Sequence, residues 1–379
     1  MNVIVAGGGT GGHLYPGLAI ARALVRLRPD IVPHFVGAER GIERDVLPAT
    51  EFSYTLLDLH PLHRRRLWQN WRTLQSARTA WRAMGQLARA LKPSVMIGTG
   101  GYASGVPLIW GWRHGVPLVQ HIGDSHPGLT ARYLTRVSRE VYLGFPEAAR
   151  WLAHGRAVLC DTGNPIEPPP DIRADGAAAR AHWGFPPHAR VLLVFGGSQG
   201  ARAINQVVAQ WIARGIPDTL CMIWATGRAQ YDAFKQLDRA DVRVVPYLSP
   251  IADAYAAAEL ALVRGGTTGT SELCAWGVPM LICPLPTAAQ DHQTSNAVAL
   301  ERAGAALHVP QAALTVDRLD RDVRALLTDA HRLGALARGA RERARPNAAR
   351  EIAQRIVGGL DRAWQPVETR GGAGAIFPP

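Results

Sequence analysis

One arrangement constrains this chain more than any other, because it occurs twice: an apolar run that breaks into a glycine-rich turn and then into a helix. Val3-Ile4-Val5-Ala6 leads into Gly7-Gly8-Gly9-Thr10-Gly11-Gly12, and helix-like sequence follows over Pro16–Arg28. Val191–Phe195 leads into Gly196-Gly197-Ser198-Gln199-Gly200, again ahead of a helix. Between and beyond these turns, apolar runs at Ile31–Val36, Pro93–Ile97, Val116–Gln120, Ala157–Gly163, Cys221–Ala225, Val242–Val245, Leu260–Val263 and Pro279–Ile282 read as strands. Buried strands alternating with helices predict parallel sheets covered on both faces. The repeat predicts two Rossmann-like α/β domains, at 1–162 and 163–345. The stiff stretch Asn164-Pro165-Ile166-Glu167-Pro168-Pro169-Pro170 would join them. A last helix is expected within 346–364, returning to the N-terminal domain, with a disordered tail at 365–379.

A chain of 379 residues suits two such domains. No apolar run approaches the roughly 18 residues of a membrane span. The N-terminus has no basic region before its first apolar run, so it reads as a buried strand rather than a signal peptide, which places the chain in the cytoplasm. The four cysteines, Cys160, Cys221, Cys274 and Cys283, have no paired spacing and read as reduced and buried. The net charge of +12 suits a polyanionic partner, whether nucleic acid, acidic lipid or diphosphate.

Glycines after a strand let the backbone turn tightly and let a diphosphate approach the amides of a helix N-terminus. Gly7, Gly9 and Gly12 also satisfy a dinucleotide pattern, but that site wants an acid at the end of the second strand, and Glu39 comes late. His13 closes the first turn beside the anion site, where it can meet a diphosphate or a hydroxyl nucleophile. The longest polar constellation is Arg264-Gly265-Gly266-Thr267-Thr268-Gly269-Thr270-Ser271-Glu272, followed by Gln290-Asp291-His292-Gln293-Thr294-Ser295-Asn296. A carboxylate for ribose hydroxyls and amides for hexose hydroxyls are what a nucleotide-sugar needs.

Across these segments the chain resembles the MurG family, the UDP-N-acetylglucosamine–N-acetylmuramyl-(pentapeptide) pyrophosphoryl-undecaprenol N-acetylglucosamine transferases. The likeness is carried by GGGTGGHLYPGLAIA (Gly7–Ala21), GTGGYASGVP (Gly98–Pro107), GNP (Gly163–Pro165), GGSQGAR (Gly196–Arg202), Arg264–Glu272 and HQTSNA (His292–Ala297), in the family's order. The resemblance implies a GT-B fold of two Rossmann-like domains facing across a cleft. UDP-N-acetylglucosamine (UDP-GlcNAc) would be held by the C-terminal half and lipid I against the N-terminal glycine loops. By matching position, Ser198, Thr267 and Thr268 would contact the donor diphosphate and Leu248 the uracil through its backbone. Glu272 would hold the ribose and Gln293 the sugar hydroxyls, while Thr10, Gly11, Gly12 and His13 would floor the cleft. His13 is the implied base, and no cofactor is implied.

Two departures from the family pattern stand out. Ile122-Gly123-Asp124 replaces a Glu-Gln-Asn run, which makes the Asp124 carboxylate a second candidate base. Glu167 replaces an arginine, which should weaken complementarity to a diphosphate by on the order of 1–3 kcal/mol. Helix N-termini at Ser198 and Thr267–Glu272 would stabilise the leaving charge without a metal. Asp320-Arg321-Asp322 reads as a solvated helix face.

His60–Lys92 carries eight Arg/Lys, no acid, and Trp68, Trp71 and Trp81; with Trp110 and Trp112 it reads as a surface for anionic lipid rather than for nucleic acid. The expected location is therefore the cytoplasmic face of the inner membrane, peripherally bound, with cell-wall synthesis proteins as possible company. The alternatives are a related UDP-sugar transferase with another lipid acceptor, a UDP-GlcNAc-binding homologue impaired in turnover, and a dinucleotide oxidoreductase.

Overall fold

A computed structural model of the chain describes residues 1–60, 70–152, 155–170, 175–197, 199–362 and 364, with backbone alone for 70–74. Two parallel sheets organise it. The first contains β1 (Asn2–Gly7), β2 (Val32–Ala38), β3 (Ser53–Leu57), β4 (Val95–Gly100), β5 (Leu118–Ile122), β6 (Glu140–Leu143) and β7 (Val158–Asp161), in the order β3-β2-β1-β4-β5-β6-β7. The second contains β8 (Arg190–Phe195), β9 (Leu220–Ala225), β10 (Val242–Val245), β11 (Leu260–Val263), β12 (Met280–Ile282) and β13 (Ala306–His308), in the order β10-β9-β8-β11-β12-β13. In both sheets the chain order reverses at the first strand. That reversal opens a crevice beyond the carboxyl ends of β1 and β8, where ligands bind in such sheets.

The apolar runs became strands because helices cover both faces of each sheet. Val3, Ile4, Val5 and Ala6 are all buried, with Val3 and Val5 in one core cluster and Ile4 and Ala6 in another. Three strands escape the sequence reading: β3, whose Ser53 and Tyr54 are exposed, and the short β6 and β13. The first helix begins at Gly11 and runs to Leu27, so His13 stands in its first turn rather than before it.

The helix Ala348–Asp361 follows the second sheet in sequence but packs on the helix Gly11–Leu27. Its Ile352, Ala353 and Ile356 are fully buried with Val3, Leu14 and Phe35, each isoleucine contributing about 1.5–3 kcal/mol.

Part of the basic segment, 61–69 with Trp68, and the Trp71 side chain lie outside the described residues. Among those described, Asn70–Leu91 is a helix that buries Ala80, Met84 and Ala88. Trp81 is partly buried against the same cluster. Trp110 is a core residue, 8% exposed and stacked on His114 at 3.8 Å, so it does not contribute to an outer surface as its sequence position suggested.

Candidate active site

The first glycine turn is shaped from below by a carboxylate that the sequence reading missed. Glu43 is fully buried; its Oε2 accepts a hydrogen bond from the Gly9 amide at 2.9 Å, and its Oε1 accepts one from the Ala38 amide at 3.0 Å. A Cβ on Gly8 would fall 1.9 Å from that carboxylate, and one on Gly41 2.0 Å, so the glycines make room for it. Glu43 thus occupies the place near β2 where a dinucleotide site needs an acid, but it faces loop amides instead of a ribose. Thr10 is the exposed, extended cap of the following helix, and its own side chain makes no capping hydrogen bond. The first-turn amides, at Gly11 and Gly12, have no partner inside the helix, as in any helix start.

His13 lies partly exposed beside β4. A Cβ on Gly100 would come within 2.7 Å of its Nδ1. Burial lowers its pKa from the ordinary 6.5, the nearby Asp124 carboxylate raises it and His292 lowers it. His121, at the end of β5, is 2% exposed. Burial pushes it down to about 3, with a smaller contribution from His13. Gly123 shows how tightly the two halves meet: a Cβ there would lie 3.1 Å from Asn164 Oδ1 and 3.5 Å from both His121 Cε1 and Thr267 Oγ1.

From the C-terminal side, the helix Thr267–Trp276 starts directly opposite. A Cβ on Gly12 would be 3.9 Å from Thr267 Oγ1, so two helix N-termini converge on one cleft. Thr267 is buried, and among the described residues the buried Thr268 hydroxyl has no partner. Arg264 reaches across the strand ends to the carbonyls of Cys283 and Pro284, both at 3.0 Å, bracing the loop that leads to Gln293. Gln293 Oε1 accepts from the Leu285 amide at 2.9 Å. Glu272 Oε2 accepts from the Tyr255 hydroxyl at 2.7 Å; burial raises its pKa and the tyrosine opposes that rise. Leu248 buries its side chain in the core of this half. Gln290 and Asp291 hold positive φ angles of 56° and 53°, a strained conformation for residues with a Cβ.

The two halves are tied by polar side chains. Asn296 is fully buried: its Nδ2 donates to Asp124 Oδ1 at 2.9 Å and to the Gly265 carbonyl at 3.1 Å, while its Oδ1 accepts from the Ser125 amide at 2.8 Å. The sequence placed Asn296 among groups reading sugar hydroxyls; here two of its three bonds cross the domain junction, and the third holds the Gly265 turn of its own half. Asn164 Nδ2 donates to Ser271 Oγ at 3.0 Å.

The structure therefore gathers Thr10, Gly11, Gly12, His13 and Asp124 from one half with Thr267 and Thr268 from the other, and places Glu272 within the same helix as the threonines. Ser198 lies outside the described residues. Exposed Glu167 lies near enough to push Glu272 and Arg22 upward. Asp320 accepts from Arg324 on its own helix and from Trp211 on the neighbouring one, and Asp322 pairs with Arg318, so both carboxylates are engaged by protein groups.

Residues 3–143 match the glycosyltransferase family 28 N-terminal domain, and residues 191–356 match the glycosyltransferase family 28 C-terminal domain. The UDP-N-acetylglucosamine–N-acetylmuramyl-(pentapeptide) pyrophosphoryl-undecaprenol N-acetylglucosamine transferase of Salinibacter ruber is 38% identical, over 95% of this chain and 97% of its own. The protein of the same name from Moorella thermoacetica is 37% identical, over 94% and 98%. The crystal structure of Acinetobacter baumannii MurG superposes with a TM-score of 0.75 at 25% identity, covering 94% of this chain and 99% of that one. The calicheamicin glycosyltransferase CalG4 shares the fold, with a TM-score of 0.70 at 14% identity over 98% and 99%. With a GT-B fold, both family 28 domains and relatives of this identity along nearly its whole length, the chain belongs to the MurG family of N-acetylglucosaminyltransferases.

Proposed function

We propose that this chain transfers N-acetylglucosamine from UDP-GlcNAc to the C4 hydroxyl of the muramyl sugar of undecaprenyl-diphosphate-MurNAc-pentapeptide (lipid I), with inversion, forming lipid II. The observation that carries the reading is the meeting of two helix N-termini, at Gly11 and at Thr267, with His13 in the first turn of one of them. Such a site offers positive potential to a departing diphosphate and a neutral imidazole to an incoming hydroxyl.

In this reading His13 takes the proton of the C4 hydroxyl as that oxygen attacks the anomeric carbon, and the bond to the UDP oxygen breaks. Thr267 and Thr268 line the diphosphate, together with Ser198. Glu272, held by Tyr255, receives the ribose hydroxyls. Gln293 reads hexose hydroxyls, and Leu248, its side chain in the core, meets uracil with its main chain. Thr10, Gly11 and Gly12 face the acceptor. Asp124 acts on His13 and on the junction instead of serving as the base. In the same reading the enzyme meets its lipid acceptor peripherally, at the cytoplasmic face; among the described residues no helix is long and apolar enough to cross a membrane.

The test is UDP release from UDP-GlcNAc with a short-chain lipid I analogue. Release should require both substrates, and His13→Ala should lower kcat by roughly 10²–10⁴-fold while UDP-GlcNAc still binds. Release without the acceptor, or an unimpaired His13→Ala enzyme, would refute the assignment.

A further inference from the structure

Immediately beyond Asp124, the chain builds a cationic and aromatic cluster that the transfer chemistry does not use. Trp151, 37% exposed, has the Arg132 guanidinium 4.4 Å from its ring centre and that of Arg150 at 5.1 Å. His126 leans on the same indole at 4.4 Å, and Arg132 donates to His126 Nε2 at 2.7 Å and to the Pro127 carbonyl at 2.9 Å. Leu129 and Tyr133 stand exposed on the adjoining turn, with Arg136 5.6 Å from the tyrosine ring. Among the described residues, no carboxylate comes within ion-pair distance of Arg132, Arg136 or Arg150; the neighbouring Glu147 is taken by Arg343. Three guanidinium groups around exposed rings, without acidic partners, suit an anion carried on a partly apolar chain.

The position of the cluster indicates which anion. Ser125, between Asp124 and His126, is tied across the cleft to Asn296, and a Cβ on Gly128 would lie 4.0 Å from Gln290 Oε1 of the other half. The cluster is therefore at the mouth of the cleft. In a muramyl sugar the lactyl ether that carries the peptide is on C3, next to the reacting C4 hydroxyl. The peptide must leave the site beside the groups that act on C4, and five extended residues span about 17 Å. We infer that His126, Arg132, Arg150 and Trp151 form a subsite for the carboxylate-bearing peptide stem of the acceptor. This rests on the proposed transferase reading.

Steady-state kinetics with two soluble acceptors, one with the pentapeptide and one without it, test the inference. Arg150→Gln, at an exposed position, should raise KM for the pentapeptide acceptor about tenfold, as expected for loss of one charge-assisted contact, and Trp151→Leu should raise it too, because the ring on which Arg132 and Arg150 rest is gone. They should leave KM for UDP-GlcNAc unchanged and shift the peptide-free acceptor less than about twofold. Arg150→Glu should raise KM for the pentapeptide acceptor further. An equal rise for both acceptors overturns the subsite. So does an unchanged acceptor KM with lost binding to phosphatidylglycerol vesicles, which would make the cluster a membrane contact. Absence of turnover with either acceptor in the wild type would instead defeat the transferase reading itself.

Discussion

His13 has opposing influences that set when it can accept a proton. Burial and His292 favour its neutral form, Asp124 favours the imidazolium, and the outcome is a pKa below 6.5. A depressed value leaves the imidazole neutral at pH 7, so kcat/KM for the acceptor should be flat near neutrality and fall only below pH 6.5. Asp124→Asn removes a charge that raises His13, and the acid limb should move to lower pH, with a plateau within about tenfold of wild type. Were Asp124 the base, the same substitution would abolish turnover without moving the limb. Glu272 has the reverse problem. It must be ionised to receive two hydroxyls, yet burial raises its pKa, and the Tyr255 hydroxyl offsets part of that rise. Tyr255→Phe should drive Glu272 further upward, so KM for UDP-GlcNAc should begin to climb at higher pH than in the wild type as the medium is acidified. A pH-independent KM ratio between the two proteins would separate Glu272 from donor binding.

Elements whose burial is written locally were legible in the sequence, and groups defined by distant partners were not. β1, β8 and β11 are near-continuous apolar runs because helices cover both faces, so composition alone marks them. The edge strand β3 mixes Ser53, Tyr54 and Thr55 with two leucines and gives no such signal. In the site, the glycine turns and His13 announce themselves by spacing, whereas Glu43 meets Gly9 from 34 positions away and Asn296 meets Asp124 and Ser125 from 172 and 171. Nothing in the local sequence marks Glu43, because only folding turns it beneath the loop. Asn296 joins the start of the helix His292–Arg302 to the loop after β5, and its loss leaves the buried Ser125 amide without a partner. Asn296→Ala should cost about 1–3 kcal/mol and lower kcat, because two of the ties across the cleft are gone, while the dissociation constant of UDP-GlcNAc stays within about twofold. A parallel loss of donor affinity would mean that Asn296 binds sugar after all.

At the scale of the whole molecule, the two sheets keep separate cores, and the junction between them combines polar ties with one aromatic anchor. Phe145, just after β6, is 2% exposed and belongs to the core cluster of the C-terminal half. Arg343 covers its ring at 5.1 Å and forms a two-pronged ion pair with Glu147, at 2.6 and 3.1 Å. The chain then returns through the helix Ala348–Asp361 to the first core, so each half holds a piece of sequence from the other side of the junction. Interlocked halves should unfold together although their cores are distinct. Phe145→Ala removes the anchor at a cost of about 3–5 kcal/mol and leaves Arg343 without its ring. In calorimetry, the single endotherm expected of the wild type should split into two in this variant. UDP-GlcNAc should then raise only the transition of the half that contains Glu272, because a ligand stabilises the unit it binds. A variant that still melts in one step, merely at lower temperature, would make Phe145 an ordinary core residue and leave the coupling to Asn296, Asn164 and the Arg343–Glu147 pair.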